Sequence, residues 1–140
     1  MKFLKKIDHV GMVVEDLQGA IADFSKRLGL ECDEQMVLED TGVQIAFYTF
    51  GEGRMELVRF QKPIDGIDPI VTSPRKGVHH IAFQVDDINK AIVEMTKRGM
   101  KLITGFPRMG ADGLVAFFYP IEGWDLLIEL CQPADPETKK

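Results

Sequence analysis

Apolar and polar positions alternate between residues 7 and 14, which predicts a strand with His9, Gly11 and Val13 on one face. The period then changes. Leu17, Ala20, Ile21, Phe24 and Leu28 recur at helical spacing; Asp16 stands where it can cap the helix and Gly29 where it can close it. Further strands are predicted at 31–37, 43–50 and 54–60, separated by Glu39-Asp40-Thr41-Gly42 and Gly51-Glu52-Gly53. Residues 62–76 hold three prolines and a glycine and read as a linker and the rim of a site. The same order then returns. A strand is predicted at 78–85 and a helix at 87–98, with Ile88, Ala91, Ile92 and Met95 inward and Gly99 at its end. Strands near 101–103, 114–119 and 126–131 follow, and the tail 132–140 is predicted to fray.

The return is a repeat in register. His9 and His80 stand 71 positions apart, and so do Asp16 and Asp87, Leu17 and Ile88, Ala20 and Ala91, Ile21 and Ile92, and Arg27 and Arg98. Two copies are too few for a solenoid. The expectation is one α+β domain over residues 1–140, built from duplicated βαβββ modules about a pseudo-twofold axis. The modules span 6–61 and 77–133, with 62–76 between them.

Composition narrows the partners. A net charge of -5 gives no electrostatic reason to bind nucleic acid or an anionic membrane. Cys32 and Cys131 do not make a disulfide framework. Residues 1–6 lack the apolar core of a signal peptide, and no apolar run approaches membrane length. The expectation is a cytoplasmic protein.

The chemistry follows from a second coincidence. Glu56 and Glu129 lie in similar frames, Met55-Glu56-Leu57-Val58 and Ile128-Glu129-Leu130-Cys131, and are 73 apart. Each half thus offers one histidine from its first strand and one glutamate from its last. A lone strand histidine is more often a hydrogen-bonded core residue, and a lone strand glutamate faces solvent. The recurrence of both at matching offsets favours convergence of His9, Glu56, His80 and Glu129 on one divalent cation. Two inward carboxylates need a cation or a proton to offset them. His79 reads as structure or rim, and Cys131 as a small buried hydrophobe. Gly110-Ala111-Asp112-Gly113 is a poor phosphate loop, because no helix signal follows it, and reads as a flexible loop bordering the pocket. No Ser/His/Asp nucleophile set is visible.

These pieces resemble the vicinal oxygen chelate, or glyoxalase-like, superfamily, and within it the methylmalonyl-CoA epimerases. The resemblance rests on Ile7-Asp8-His9-Val10-Gly11, on residues 77–88, on residues 107–113 and on Leu127-Ile128-Glu129-Leu130-Cys131. It implies a cupped mixed sheet around one divalent metal ion (Co, Zn, Ni or Mn), often in a homodimer. The activity implied is epimerisation of (2R)- and (2S)-methylmalonyl-CoA by α-proton abstraction through a metal-stabilised enolate. His9, Glu56, His80 and Glu129 match the metal ligands, and Glu129 also matches a proton-transfer residue.

Two departures bear on detail. Some epimerases carry a second catalytic glutamate where this chain has Gln44; Gln44 could orient substrate, and Glu56 or a water would have to act as the second base. A His-Pro-Lys-Ser-type turn is replaced by Tyr119-Pro120-Ile121-Glu122-Gly123-Trp124, which is expected to border the site. Arg75, Lys76 and Arg108 are candidates for CoA phosphates. The same ligand set also suits a glyoxalase I-type lactoylglutathione lyase acting on a hemithioacetal. A metal-free binding module or an iron dioxygenase fits less well, since the ligand set is full and Glu56 exceeds the two-histidine, one-carboxylate pattern.

Overall fold

The structure is a computed structural model and describes residues 2–73 and 77–134. The chain runs β1 (Lys6–Val13), α1 (Leu17–Asp23), β2 (Glu34–Val37), β3 (Gln44–Phe50) and β4 (Gly53–Arg59). After the intervening segment come β5 (His80–Gln84), α2 (Ile88–Lys97), β6 (Arg108–Met109), β7 (Gly113–Phe118) and β8 (Leu127–Pro133).

Local chemistry sets the helix ends. Asp16 accepts from the Gly19 amide at 3.0 Å and Asp87 from the Lys90 amide at 3.1 Å, so each half starts its helix with the same cap. The first helix continues into a π-helical turn, Phe24–Leu28, and stops at Gly29 with φ 69°, a left-handed conformation suited to glycine.

The eight strands of the described residues form one mixed sheet in the order β2-β3-β4-β1-β5-β8-β7-β6. That order reads the same from both edges once β5–β8 are matched to β1–β4. β1 and β5 are antiparallel neighbours at the centre, and each is paired in parallel with the last strand of its own half, β4 and β8. The duplicated α+β architecture is therefore the one the repeat predicts.

Each face of the curled sheet buries one apolar cluster per half. On the helix side, Leu17 packs with Ala46, Tyr48 and Leu57, while Ile88, Ala91 and Met95 pack with Ala116, Phe118 and Leu130. On the other side, Val13, Val43, Ile45, Phe47 and Val58 form one cluster, and Ile67, Val71, Ile103, Phe117 and Leu127 another. These apolar walls flank the polar centre.

One strand is misplaced by the sequence. Residues 101–103 do not form the edge strand; Leu102 makes only an isolated bridge to Phe118. Ile103 turns inward and is fully buried, and the edge passes to Arg108–Met109. Burial of one isoleucine thus takes precedence over its strand propensity. Residues 132 and 133, expected in a frayed tail, extend β8, where Gln132 Oε1 accepts from the first amide of α2 at 2.8 Å.

Candidate active site

Two rows of side chains cross the inner face of the sheet. In the first, cross-strand pairing sets Arg54, His9, Ala82, Glu129 and Phe117 in sequence over β4, β1, β5, β8 and β7. In the second, the order is Phe47, Glu56, Gly11, His80 and Leu127 over β3, β4, β1, β5 and β8. The rows are related by the pseudo-twofold: each carries a histidine from one half and a glutamate from a strand flanking the central pair. Gly11 and Ala82, the small residues within the rows, occupy equivalent places in the two halves. A Cβ on Gly11 would lie 2.7 Å from His80 Nδ1 and closer still to two other ring atoms. The His80 ring therefore lies directly over Gly11.

Of the four expected ligands, three meet tightly. His9 Nε2 is 3.1 Å from His80 Nε2 and 2.9 Å from Glu129 Oε1, and His80 Nε2 is 3.3 Å from the same oxygen. All three side chains are buried. Their ligand atoms lie close enough together to hold a metal ion. Glu56 is buried beside them but reaches the opposite nitrogen of His9, with Oε2 3.2 Å from Nδ1.

A residue that sequence reading left out completes this environment. Asp8 Oδ2 lies 2.7 Å from His9 Nδ1. Strict alternation would turn Asp8 to the far face, but the β1–β5 register slips between Ile7 and His9, and this irregularity re-aims Asp8 into the cavity. Arg54 stands next to it, 3.5 Å from Asp8 and 3.6 Å from Glu56, with its guanidinium over the Phe47 ring. Arg54 also reaches Asp112 at 2.8 Å. The Gly110–Gly113 segment, expected as a flexible loop bordering the pocket, does line the cavity and forms the turn between β6 and β7, closed by the Gly110 amide on the Gly113 carbonyl at 2.7 Å and tied to the first half through Asp112.

The electrostatics without a metal are consistent with a centre crowded by acid. Burial alone would lower the pKa of His9, but Glu129, Asp8 and Glu56 outweigh it and hold it up at about 10. Burial lifts Glu56 to about 7. Burial, with the charges of His9 and His79, pushes His80 well below its ordinary value. The hydrogen bond from His9 keeps Asp8 low, and burial raises the Cys131 thiol, which therefore stays a neutral wall residue.

The donor set fits a divalent cation. Glu129 Oε1 is buried yet accepts no aligned hydrogen bond from the described residues, although two imidazole nitrogens lie within ion-pair distance of it. A buried carboxylate oxygen without an aligned donor is costly, and a cation shared with the facing nitrogens removes that cost. Three N/O ligands with room beside them form an open site.

The centre opens on a cavity of about 310 Å³, walled by Val43, Ile45, Ile64, Ile67, Phe106 and Val115 among others. Of the segment 62–76, expected as the rim, the described part contributes Ile64, Ile67 and Val71 to that wall. Gln44 does not. Its neighbours Val43 and Ile45 face the cavity, while Gln44 turns to the helix side and accepts from Arg59 at 3.5 Å. The expectation that Gln44 orients substrate fails on this period-two geometry. Residues 119–124 also lie off the cavity wall, with Trp124 exposed. Arg108 lies on the wall and pairs with Asp40 at 3.3 Å. Arg75 and Lys76 lie outside the described residues.

Residues 8–119 match the family model of the Glyoxalase/Bleomycin resistance protein/Dioxygenase superfamily. The chain belongs to that superfamily. Its relatives include human mitochondrial methylmalonyl-CoA epimerase, 32% identical over 134 residues, covering 92% of this chain and 74% of that protein. An ethylmalonyl-CoA/methylmalonyl-CoA epimerase from Cereibacter sphaeroides is 32% identical over 133 residues, covering 91% and 97%. Among solved structures, a Streptomyces coelicolor methylmalonyl-CoA epimerase in complex with 2-nitronate-propionyl-CoA superposes with a TM-score of 0.72 at 27% identity, covering 94% and 99%. No described helix is long and apolar enough to cross a membrane.

Proposed function

We propose that this protein is a metal-dependent epimerase that interconverts (2R)- and (2S)-methylmalonyl-CoA by removing and returning the C2 proton. The observation that carries the reading is the convergence of His9, His80 and Glu129 around an unbonded, buried carboxylate oxygen at the base of an apolar-walled cavity. The relatives that are methylmalonyl-CoA epimerases support the same substrate class.

His9, His80 and Glu129 would hold the ion, with Glu56, the expected fourth donor, beside them. Co, Zn, Ni and Mn all suit nitrogen and carboxylate donors. A bound divalent ion supplies Lewis acidity to substrate oxygens and neutralises buried negative charge. The protein's own groups do the rest. Glu129 takes the C2 proton, which both the thioester and the free carboxylate acidify. Asp8 fixes the His9 ring from behind through Nδ1. Glu56 and Glu129 stand on β4 and β8, the strands flanking the central pair, so that one carboxylate serves each face of C2. Glu56, lifted by burial to about 7, can carry a proton at neutral pH. The apolar walls exclude water from the carbanionic species. Arg108, on the cavity wall and paired with Asp40, would release that partner to meet a CoA phosphate. A homodimer in the cytoplasm belongs to the same reading, and sedimentation of the metal-loaded protein checks the assembly.

The test is conversion of (2R)-methylmalonyl-CoA by metal-loaded protein, followed by chiral analysis. A racemising product that disappears on chelation is expected. Turnover of a hemithioacetal with no change in methylmalonyl-CoA would replace this reading with the lyase.

A further inference from the structure

The two halves place their histidines alike but not the neighbours of those histidines. On the parallel strand beside it, His9 is paired with Arg54, whereas His80 is paired with Leu127. Arg54 and Leu127 each stand two positions before the glutamate of their half, so they are equivalent places in the repeat. A guanidinium in one and a branched alkyl group in the other break the pseudo-twofold at its centre. Leu127 belongs to an apolar end, packed with Ile67, Val71, Ile103 and Phe117. Arg54 stands at a charged end, with Asp8 at 3.5 Å, Glu56 at 3.6 Å and Asp112 at 2.8 Å.

The symmetric set of histidines and glutamates does not require this difference, whereas an unsymmetrical ligand does. C2 of the proposed substrate carries a carboxylate and a methyl group, and the charged and apolar ends match them. The carboxylate is bonded directly to C2, so the group that reads it must stand beside the centre. Arg54 does, because Glu56 lies 3.6 Å from it and 3.2 Å from His9 Nδ1. Among the described residues the cavity wall carries one other arginine and no lysine; that arginine is Arg108, which the reading above gives to a CoA phosphate. An arginine keeps its charge throughout the working pH range, and its planar fork suits a carboxylate. The Phe47 ring lies 4.9 Å from the guanidinium carbon and supports it from one side.

Arg54 is already paired, and the pairs are unequal. The Asp8 and Glu56 side chains are 17% and 7% exposed and stand at the longer distances. Asp112 makes the short contact, comes from the other half of the chain and is 46% exposed. A carboxylate entering the cavity can therefore replace Asp112 on Arg54 at the least cost, with Asp112 turning outward to water. The charge around the guanidinium is unchanged by that exchange.

We propose that Arg54 selects acyl groups that bear a free carboxylate and draws that carboxylate to the charged end of the cavity, with Asp112 holding its place until substrate arrives. The inference rests on the acyl-CoA reading above and adds to it the residue that distinguishes a malonyl-type acid from a plain acyl group.

Malonyl-CoA and acetyl-CoA differ by that one carboxylate, and calorimetry on Zn(II)-loaded protein gives a dissociation constant for each. Metal content is checked in every variant, so the share of the ion cancels between variants. Wild-type protein should bind malonyl-CoA the more tightly. Arg54→Leu should cut this preference about tenfold or more by weakening malonyl-CoA, with acetyl-CoA held within about twofold. Asp112→Asn leaves Arg54 in place, removes the competing carboxylate and should raise the preference about threefold or more. A preference that survives Arg54→Leu, or equal weakening of both ligands, overturns the inference. If Arg54→Leu does not fold, Asp112→Asn decides: a raised preference supports the inference, and an unchanged or lowered one overturns it. Wild-type protein that binds both ligands equally overturns the role of Arg54 alone, whereas wild-type protein that binds neither overturns the acyl-CoA reading together with it.

Discussion

Gly11 lies beneath the His80 ring, and adding one methyl group there perturbs the centre without touching any charged atom. In Gly11→Ala the new carbon would stand 2.7 Å from His80 Nδ1 and nearer still to Cε1 and Nε2. Ordinary carbon contacts are roughly 3.5–4 Å, so the ring must retreat by about 1 Å or more. It has little room to do so, because His79 and Phe117 pack edge-on against it with centroids at 5.0 and 5.2 Å. Overpacking of this kind costs roughly 1–3 kcal/mol. With a urea slope of about 1–3 kcal/mol per molar, the unfolding midpoint should fall by about 1 M. The loss of function should be larger. Metal–ligand distances tolerate about 0.2 Å, and His80 is displaced several times further. Zn(II) affinity, read by competition with a chromophoric chelator, should fall at least about 100-fold while the protein remains folded at low urea. Unchanged Zn(II) affinity in a folded Gly11→Ala protein would refute the placement of His80 as a ligand.

Further predictions address charge, pH and packing. Glu129→Gln removes the proposed base and one ligand together; epimerisation should fall by about 10²-fold or more with little change in thermal stability. His9 stays protonated up to about 10 in the metal-free protein, so metal binding at neutral pH displaces that proton. Affinity should then rise about tenfold per pH unit between pH 7 and 10, measurable by calorimetry in buffers of different ionisation heat. The stability effect has the opposite sign. A raised histidine pKa stabilises the metal-free fold fully below 6.5 and loses that contribution as pH climbs through about 10, so the metal-free melting temperature should drop across this window. Leu130 is fully buried against α2, and Leu130→Ala should cost about 2–5 kcal/mol in urea unfolding while leaving Zn(II) binding near the wild-type value.

The repeat at offset 71 was enough to anticipate two halves, because equal sequence spacing becomes symmetric strand order when both copies share one sheet. With the separate glutamate offset of 73 it also anticipated that His9, His80 and Glu129 meet, since β1 and β5 are central neighbours and β8 pairs with β5. Asp8 escaped notice for the same reason that His9 did not: alternation assigns neighbouring residues to opposite faces, and only the slipped register at Ile7–His9 overrides it. Gln44 illustrates the reverse, because family analogy placed it at the site while its phase on β3 turns it toward the helices. Arg54 and Asp112 lie 58 residues apart and on different halves, so their contact depends on tertiary closure that no local pattern encodes. The direction of the His79 ring was hidden as well. His79 lies just before β5 begins, where strand alternation no longer fixes a side chain, and its bond to Val71 forms only when the linker folds back.

Transfer of solvent deuterium into C2 of methylmalonyl-CoA tests the central claim most directly. Metal-loaded wild-type protein in D2O should exchange that proton, and neither chelated wild-type protein nor folded Glu129→Gln should do so at a comparable rate. Exchange that persists undiminished in metal-free protein or in Glu129→Gln would contradict the assignment of this centre as the seat of the reaction.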